Sequence, residues 1–246
     1  MAESIQINFG GFVPLSTVDW RGRAVCVVFF RGCPVKCWYC QNETILSGED
    51  KRPIEEIAEC IRSSSLLISG VIFSGGEATM QPAALIALAQ YSRSIGLCTG
   101  LQTNGVFPAV IQELIDRRLI DHIALDIKAE WNLYTVRGKE RAVGKQVKES
   151  LMRCTDAFHA GALSEFEVVV TLFPGYGEEV TTIARDVAAD VDLVLQQGVY
   201  RGIRPLDLDD LKAIADRLGR RVRIRTRSEG EVVYEGRRSC GDARVR

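Results

Sequence analysis

Three cysteines fall within eight residues in "FFRGCPVKCWYCQN", at Cys33, Cys37 and Cys40. Thiolates at such short spacing suit a soft or borderline metal. A structural zinc site takes four ligands, usually as two pairs, and no fourth cysteine stands near this trio. The chain has two histidines. His122 and His159 read as a strand-end and a helix-end residue rather than as ligands. A cubane [4Fe–4S] cluster normally takes four cysteines. Three leave one iron without a protein ligand, and an open position on a metal centre is a catalytic arrangement, by the logic that separates catalytic from structural zinc. A chelating small molecule can take that position.

The remaining cysteines are scattered. Cys26 and Cys98 sit inside apolar, strand-like runs and read as core; Cys60 and Cys154 are isolated, and Cys240 lies in a polar tail as a spare thiol. One metal centre is therefore expected. A framework of disulfides is a poor reading of the eight cysteines, because 246 residues can bury a core without staples. The opening "MAESIQINFGG" has no basic region followed by an apolar core. The longest apolar run near the start, "AVCVVFF", is seven residues, too short for a bilayer. A cytoplasmic protein with no membrane partner is expected.

The composition is that of an ordinary globular chain, 46% hydrophobic and 26% charged, with a net charge of −1. The charge is uneven. From Arg217 to the end there are ten arginines and four acidic residues, a balance of +6, so the rest balances to −7. In "RVRIRTR" the arginines fall on one face at period two, which reads as a solvated edge strand. A docking surface for an acidic protein or for nucleic acid is the alternative, with nucleic acid not favoured.

The elements that must position the cysteines alternate in type. "AVCVVFF", "GVIFSGG", "LCTGLQTNG", "DHIALDIKA", "EFEVVVTLF", "VDLVLQQ" and "RVRIRTR" read as strands. Between them lie helical patterns, one opened by Pro53, one running from Pro82 near its first turn to a stop at Gly96, and another ending at Gly161. This βαβα series predicts an α/β fold with parallel strands and helices outside, either a barrel or a doubly wound sheet. "GGFVPLSTVDW" reads as a preamble to the first barrel strand. The absence of linkers and repeats predicts a single domain over 1–246, with a core of about 18–200 and a basic C-terminal extension of about 217–246. The cysteines, "SGGE", "QTNG", "DIK" and "FPGYG" all fall at C-terminal strand ends, which gather at one mouth of a parallel barrel or sheet.

Cys33-x3-Cys37-x2-Cys40, with Tyr39 before the last cysteine and "SGGE" in the next βα turn, resembles the signature of radical S-adenosylmethionine (radical SAM) enzymes. The resemblance implies a partial (β/α)6 TIM-like barrel, one [4Fe–4S] cluster and S-adenosyl-L-methionine. "GGFVPLSTVDWRGRAVCVVFFRGCPVKCWYCQN" is similar to the opening of anaerobic ribonucleoside-triphosphate reductase activating proteins of the form related to pyruvate formate-lyase activase. That likeness extends over roughly Gly10 to Gln197 and is less clear in the basic tail.

The resemblance also implies roles. Cys33, Cys37 and Cys40 would ligate three irons, with the amino and carboxylate groups of SAM on the fourth. Tyr39 would lie against the adenine, a loop aromatic in the core being the alternative. Ser74, Gly75, Gly76 and Glu77 would bind the methionine ammonium; the glycines let backbone approach closely, and Glu77 offers charge or fixes the turn. Thr103, Asn104 and Asp126 would line the site near the SAM carboxylate. Lys128 would reach that carboxylate or the substrate, or be a solvated strand-end lysine. Relatives hold a monovalent cation here with two aspartates; this chain keeps Asp126 but has Gln102 where one relative has Asp. Where relatives often carry an arginine on the fifth strand, this chain has Glu167-Val168-Val169-Val170.

The implied reaction is reductive cleavage of SAM to a 5′-deoxyadenosyl radical, fed by a flavodoxin- or ferredoxin-type electron donor. The implied partner is a glycyl-radical protein, an anaerobic ribonucleotide reductase. A radical SAM enzyme acting on a small molecule or a tRNA base is the alternative, and a zinc-stabilised binding protein is a third reading.

Overall fold

The structure, a computed structural model, describes residues 5–128 and 143–237. Cys240 and the last three arginines lie outside the described residues. The chain opens with β1 (Gln6–Ser16) and β2 (Val25–Phe30), an antiparallel pair. After the cysteine loop come β3 (Lys51–Pro53) and α1 (Ile54–Ser64), then β4 (Gly70–Gly75), α2 (Pro82–Ser94), β5 (Cys98–Thr103), α3 (Pro108–Asp116) and β6 (His122–Ile127). There follow α4 (Gly144–His159), β7 (Glu165–Leu172), α5 (Gly177–Asp186), β8 (Asp192–Gln197), α6 (Leu208–Leu218), β9 (Arg221–Thr226) and β10 (Gly230–Glu235).

Local sequence explains the helix ends. Pro53 caps α1 and Pro82 begins α2, where a missing N–H costs nothing. Asp207 and Asp210 form a reciprocal capping box on α6, which Gly219 ends in the left-handed conformation.

All ten strands form one sheet in the order β10-β9-β8-β7-β6-β5-β4-β2-β1-β3. From β2 through β4 to β9 every pairing is parallel; the flanking pairs β1–β2, β1–β3 and β9–β10 are antiparallel. This is an α/β partial barrel that does not close. Side chains alternate between its faces. On β2, Cys26, Val28 and Phe30 join the large core shared with the helices, while Val25 and Val27 join a smaller cluster with Trp20 and Ile72. On that inner face Arg223 of β9 reaches Glu167 of β7 across the intervening β8, at 2.6 Å.

Two expectations are corrected. "GGFVPLSTVDW" is largely strand, not preamble: β1 pairs with β2, and a register shift between Phe9 and Gly11 fits the glycine pair against β2. "RVRIRTR" is not a solvated edge, because the chain turns back at 227–229 and lays β10 along β9. Arg223 is thereby 5% exposed and bonded to Glu167, Asp192 and Glu231. Arg225 also bonds Glu167 and Glu231, and Arg220 donates to carbonyls of Val187, Ala188 and Val191. These arginines neutralise acids and cap carbonyls inside the fold.

Candidate active site

The parallel run carries the C-terminal ends of its strands to one edge of the sheet, and the cysteine loop is tied there to the end of, or the loop after, each strand from β4 to β8. Asn42 Nδ2 donates to the Gly75 carbonyl at the end of β4, at 2.9 Å. Asn104 Nδ2, after β5, donates to Cys33 Sγ at 3.5 Å. Tyr39 OH donates to the Lys128 carbonyl after β6, at 3.1 Å. Trp38 Nε1 donates to Tyr176 OH after β7, at 2.9 Å, and Gln41 Nε2 to the Val199 carbonyl after β8, at 3.1 Å.

"SGGE" sits directly against this loop. Gly76 N–H donates to the Phe30 carbonyl and Glu77 N–H to the Gly32 carbonyl, each at 2.8 Å. A Cβ on Gly76 would stand 2.1 Å from the Gly32 carbonyl oxygen. Gly75 has φ +122°, and its Cβ would meet Phe30 backbone at 2.3 Å, so neither position admits a side chain. Glu77 is 1% exposed. Its carboxylate accepts from Thr79 N–H, Thr79 Oγ1 and Thr103 Oγ1, and from Asn104 N–H at 2.8 Å. These bonds tie Glu77 to its own turn and to the end of β5. Burial pushes its carboxyl above the usual range, against the pull of these donors.

Ser74 lies on the inner face with its hydroxyl donating to Gln102 Oε1 at 2.7 Å, and Gln102 Nε2 faces Asp19. The amide of Gln102 is thus bracketed by Ser74 and Asp19. Lys128 is ion-paired with Asp126 Oδ2 rather than solvated, while Asp126 Oδ1 is buried and has no hydrogen-bond partner among the described residues. Tyr39 is 7% exposed and packs against Trp38 and Phe173. Sequence reasoning missed the aromatic group of Trp38, Phe173, Tyr176 and Tyr200 beside the cysteines. It also missed Asn42, although Asn42 closes the "CQN" run. The aromatics come from three separate loops, so no spacing in the sequence announces them.

The histidines lie elsewhere. His122 starts β6 at the opposite end of the sheet, stacked on Trp20 at 4.9 Å, and His159 ends α4 beside Asp190. A cavity of about 260 Å³ near His122 is lined in part by Glu167, Asp192 and Arg223, of which Arg223 is ion-paired with both acids.

The described cysteines are all free thiols. Cys26 is fully buried in the core and Cys98 partly so, packed against the Trp20 cluster. Burial pushes Cys33 up to about 12 and Cys37 up to about 11, so thiolates there call for a compensating positive charge. Among the described residues no group of three or more His, Cys, Asp or Glu side chains is gathered at coordinating distance. The donor set itself fits a cluster: three unpaired thiols on one loop, a side-chain N–H on the first sulfur, and a backbone turn beside them stripped of side chains.

Comparison with known proteins agrees. The chain belongs to the radical SAM superfamily, whose pattern matches residues 27–187. It is 37% identical over 147 residues to a proposed glycyl-radical enzyme activating enzyme of Methanocaldococcus jannaschii, covering 59% of this chain and 60% of that one. It is 32% identical over 108 residues to the pyruvate formate-lyase-activating enzyme of Clostridium pasteurianum, covering 42% and 44%. The chain thus matches three-fifths or less of the length of these relatives. A solved structure of TYW1 with a lysine-pyruvate adduct bound superimposes with a TM-score of 0.61 at 14% identity, over 87% of this chain and 80% of that one, a likeness of fold. No helix among the described residues is long and apolar enough to cross a membrane.

Proposed function

We propose that this chain, acting as one domain in the cytoplasm, is a glycyl-radical enzyme activase whose partner is an anaerobic ribonucleotide reductase. The observation that carries this is the cysteine loop, tied to five neighbouring strand ends, in a chain 37% identical to a proposed activase over 147 residues. Cys33, Cys37 and Cys40 would hold a [4Fe–4S] cluster. When bound, the cluster and S-adenosyl-L-methionine supply a one-electron reduction and a 5′-deoxyadenosyl radical that removes hydrogen from a glycine Cα.

The protein binds, orients and excludes water. Ser74, Gly75 and Gly76 present backbone and hydroxyl to the methionine ammonium, and Glu77 holds that turn in place. Thr103, Asn104, Asp126 and Lys128 line the carboxylate side. Tyr39 walls the adenine side. Asp126 Oδ1, buried and with no hydrogen-bond partner among the described residues, is an acceptor for a ligand N–H, an O–H or a monovalent cation. A flavodoxin- or ferredoxin-type protein delivers the electron.

Anaerobic reconstitution followed by SAM cleavage, with and without the reductase, tests the proposal. The expected result is SAM cleavage and a glycyl-radical electron paramagnetic resonance signal on the reductase. Cleavage with no such signal, or tRNA copurifying and modified, overturns the activase assignment in favour of a small-molecule or tRNA-base substrate. One zinc and no sulfide per chain overturns the cluster.

A further inference from the structure

Asn104 is 5% exposed and held on three sides. Its backbone N–H donates to Glu77 Oε2 at 2.8 Å. Its side-chain oxygen accepts from Val106 N–H at 3.1 Å, a local Asx turn. That contact settles which way the amide faces, since an NH2 group cannot accept from Val106. The nitrogen therefore points away from the turn, and there it donates to Cys33 Sγ at 3.5 Å. The sulfur end is equally fixed, because the carbonyls of Phe30 and Gly32, just before Cys33, accept from Gly76 and Glu77.

We infer that Asn104 is a positioning residue that sets the reduction potential of the iron–sulfur cluster through Cys33. This rests on the cluster assignment above and gives Asn104 a task separate from lining a carboxylate. Reduction adds one electron from an external donor and breaks no bond. The added negative charge is shared by the cluster and its sulfurs. An N–H aimed at one sulfur stabilises the more negative state more than the less negative one, and hydrogen bonds to sulfur are among the factors that set cluster potentials. The effect is larger where water is excluded, as it is around Asn104. Asn104 stands between Glu77 and Cys33, bonded to both.

The test is a dithionite titration of reconstituted full-length protein, followed by electron paramagnetic resonance and normalised to iron content. Asn104→Ala removes both the donor and the acceptor for Val106. Asn104→Ser keeps an oxygen for Val106 but is too short to reach the sulfur. Both are expected to lower the reduced-to-oxidised ratio at a fixed potential about threefold, which is about 30 mV at 59 mV per tenfold for one electron. A purely turn-forming Asn104 predicts a less stable Ala variant with the wild-type potential, and that result overturns the inference. If the Ala variant does not fold, the Ser variant decides in the same way. The titration needs neither SAM nor a partner, so its failure is distinct from failure of the activase assignment. A wild-type chain that assembles no cluster overturns the cluster assignment and this inference together.

Discussion

Cys33 and Cys37 are thiols that their surroundings hold neutral, with Lys128 easing Cys37 toward the thiolate and Asp126 opposing it. A metal cluster reverses that balance by its own charge. Alanine at Cys33, Cys37 or Cys40 is expected to drop iron and sulfide from about four of each per chain to near none on anaerobic reconstitution; a full complement in any one of the three would remove that residue from the ligand set. Gly76 makes a different demand. Its missing side chain lets the turn lie on the Gly32 carbonyl, so Gly76→Ala forces backbone apart. The expected cost is about 1–3 kcal/mol in urea unfolding, with cluster occupancy falling alongside. An unchanged midpoint would mean that the two loops separate freely.

The turn after β4 and the network between β7 and β9 show polar groups governing whole elements. Glu77 accepts four hydrogen bonds drawn from its own turn and from the end of β5. Glu77→Gln replaces an acceptor by an NH2 that faces a donor, and about 1–3 kcal/mol of stability should be lost, read by denaturant unfolding of the cluster-free chain. Across β8, the Arg223 and Glu167 side chains are 6% and 8% exposed. Arg223→Met leaves the buried Glu167 carboxylate only its 3.4 Å contact with Arg225 and should cost up to about 3–5 kcal/mol, while the Arg223→Met, Glu167→Met pair should recover much of it. If the double variant is no better than the single, the charge pair is not the source of the loss.

At the scale of the molecule the two ends of the sheet do different work. One end gathers the loops of the candidate active site; the other is sealed by Trp20, which stacks on His122 and packs over Gly100. Burial is the larger influence on His122 and lowers its pKa; Arg223 and Arg225 act the same way, and Glu167 and Glu165 oppose them. The folded chain keeps this imidazole neutral where the unfolded chain protonates it. Its stabilising contribution is therefore complete above the unfolded value of about 6.5 and declines as pH falls toward the folded value. The slope from this one group is at most about 1.4 kcal/mol per pH unit. Unfolding measured from about pH 7 to 5 should show that loss in the parent chain and a flatter profile in His122→Gln. Equal slopes would place the protonation elsewhere.

Elements and ligands were largely legible in the sequence, because both depend on local information. Short apolar runs with helical patterns between them give a parallel sheet, prolines and glycines mark helix ends, and three thiols within eight residues lie on one loop whatever the rest does. What the tertiary structure decided was partnership. The arginines of "RVRIRTR" have the same spacing in a solvated edge as in a covered strand, and only β10 and the acids of β7 make them buried ion pairs. Glu77 could serve a ligand or a turn until Thr103 and the Asn104 N–H, 26 and 27 residues away, were brought to it. The aromatic group beside the cysteines and the Asn104 contact to Cys33 likewise join residues from different strand ends. Spacing along a chain fixes which residues share an element, but contacts between elements depend on strand order and register, which no single segment contains.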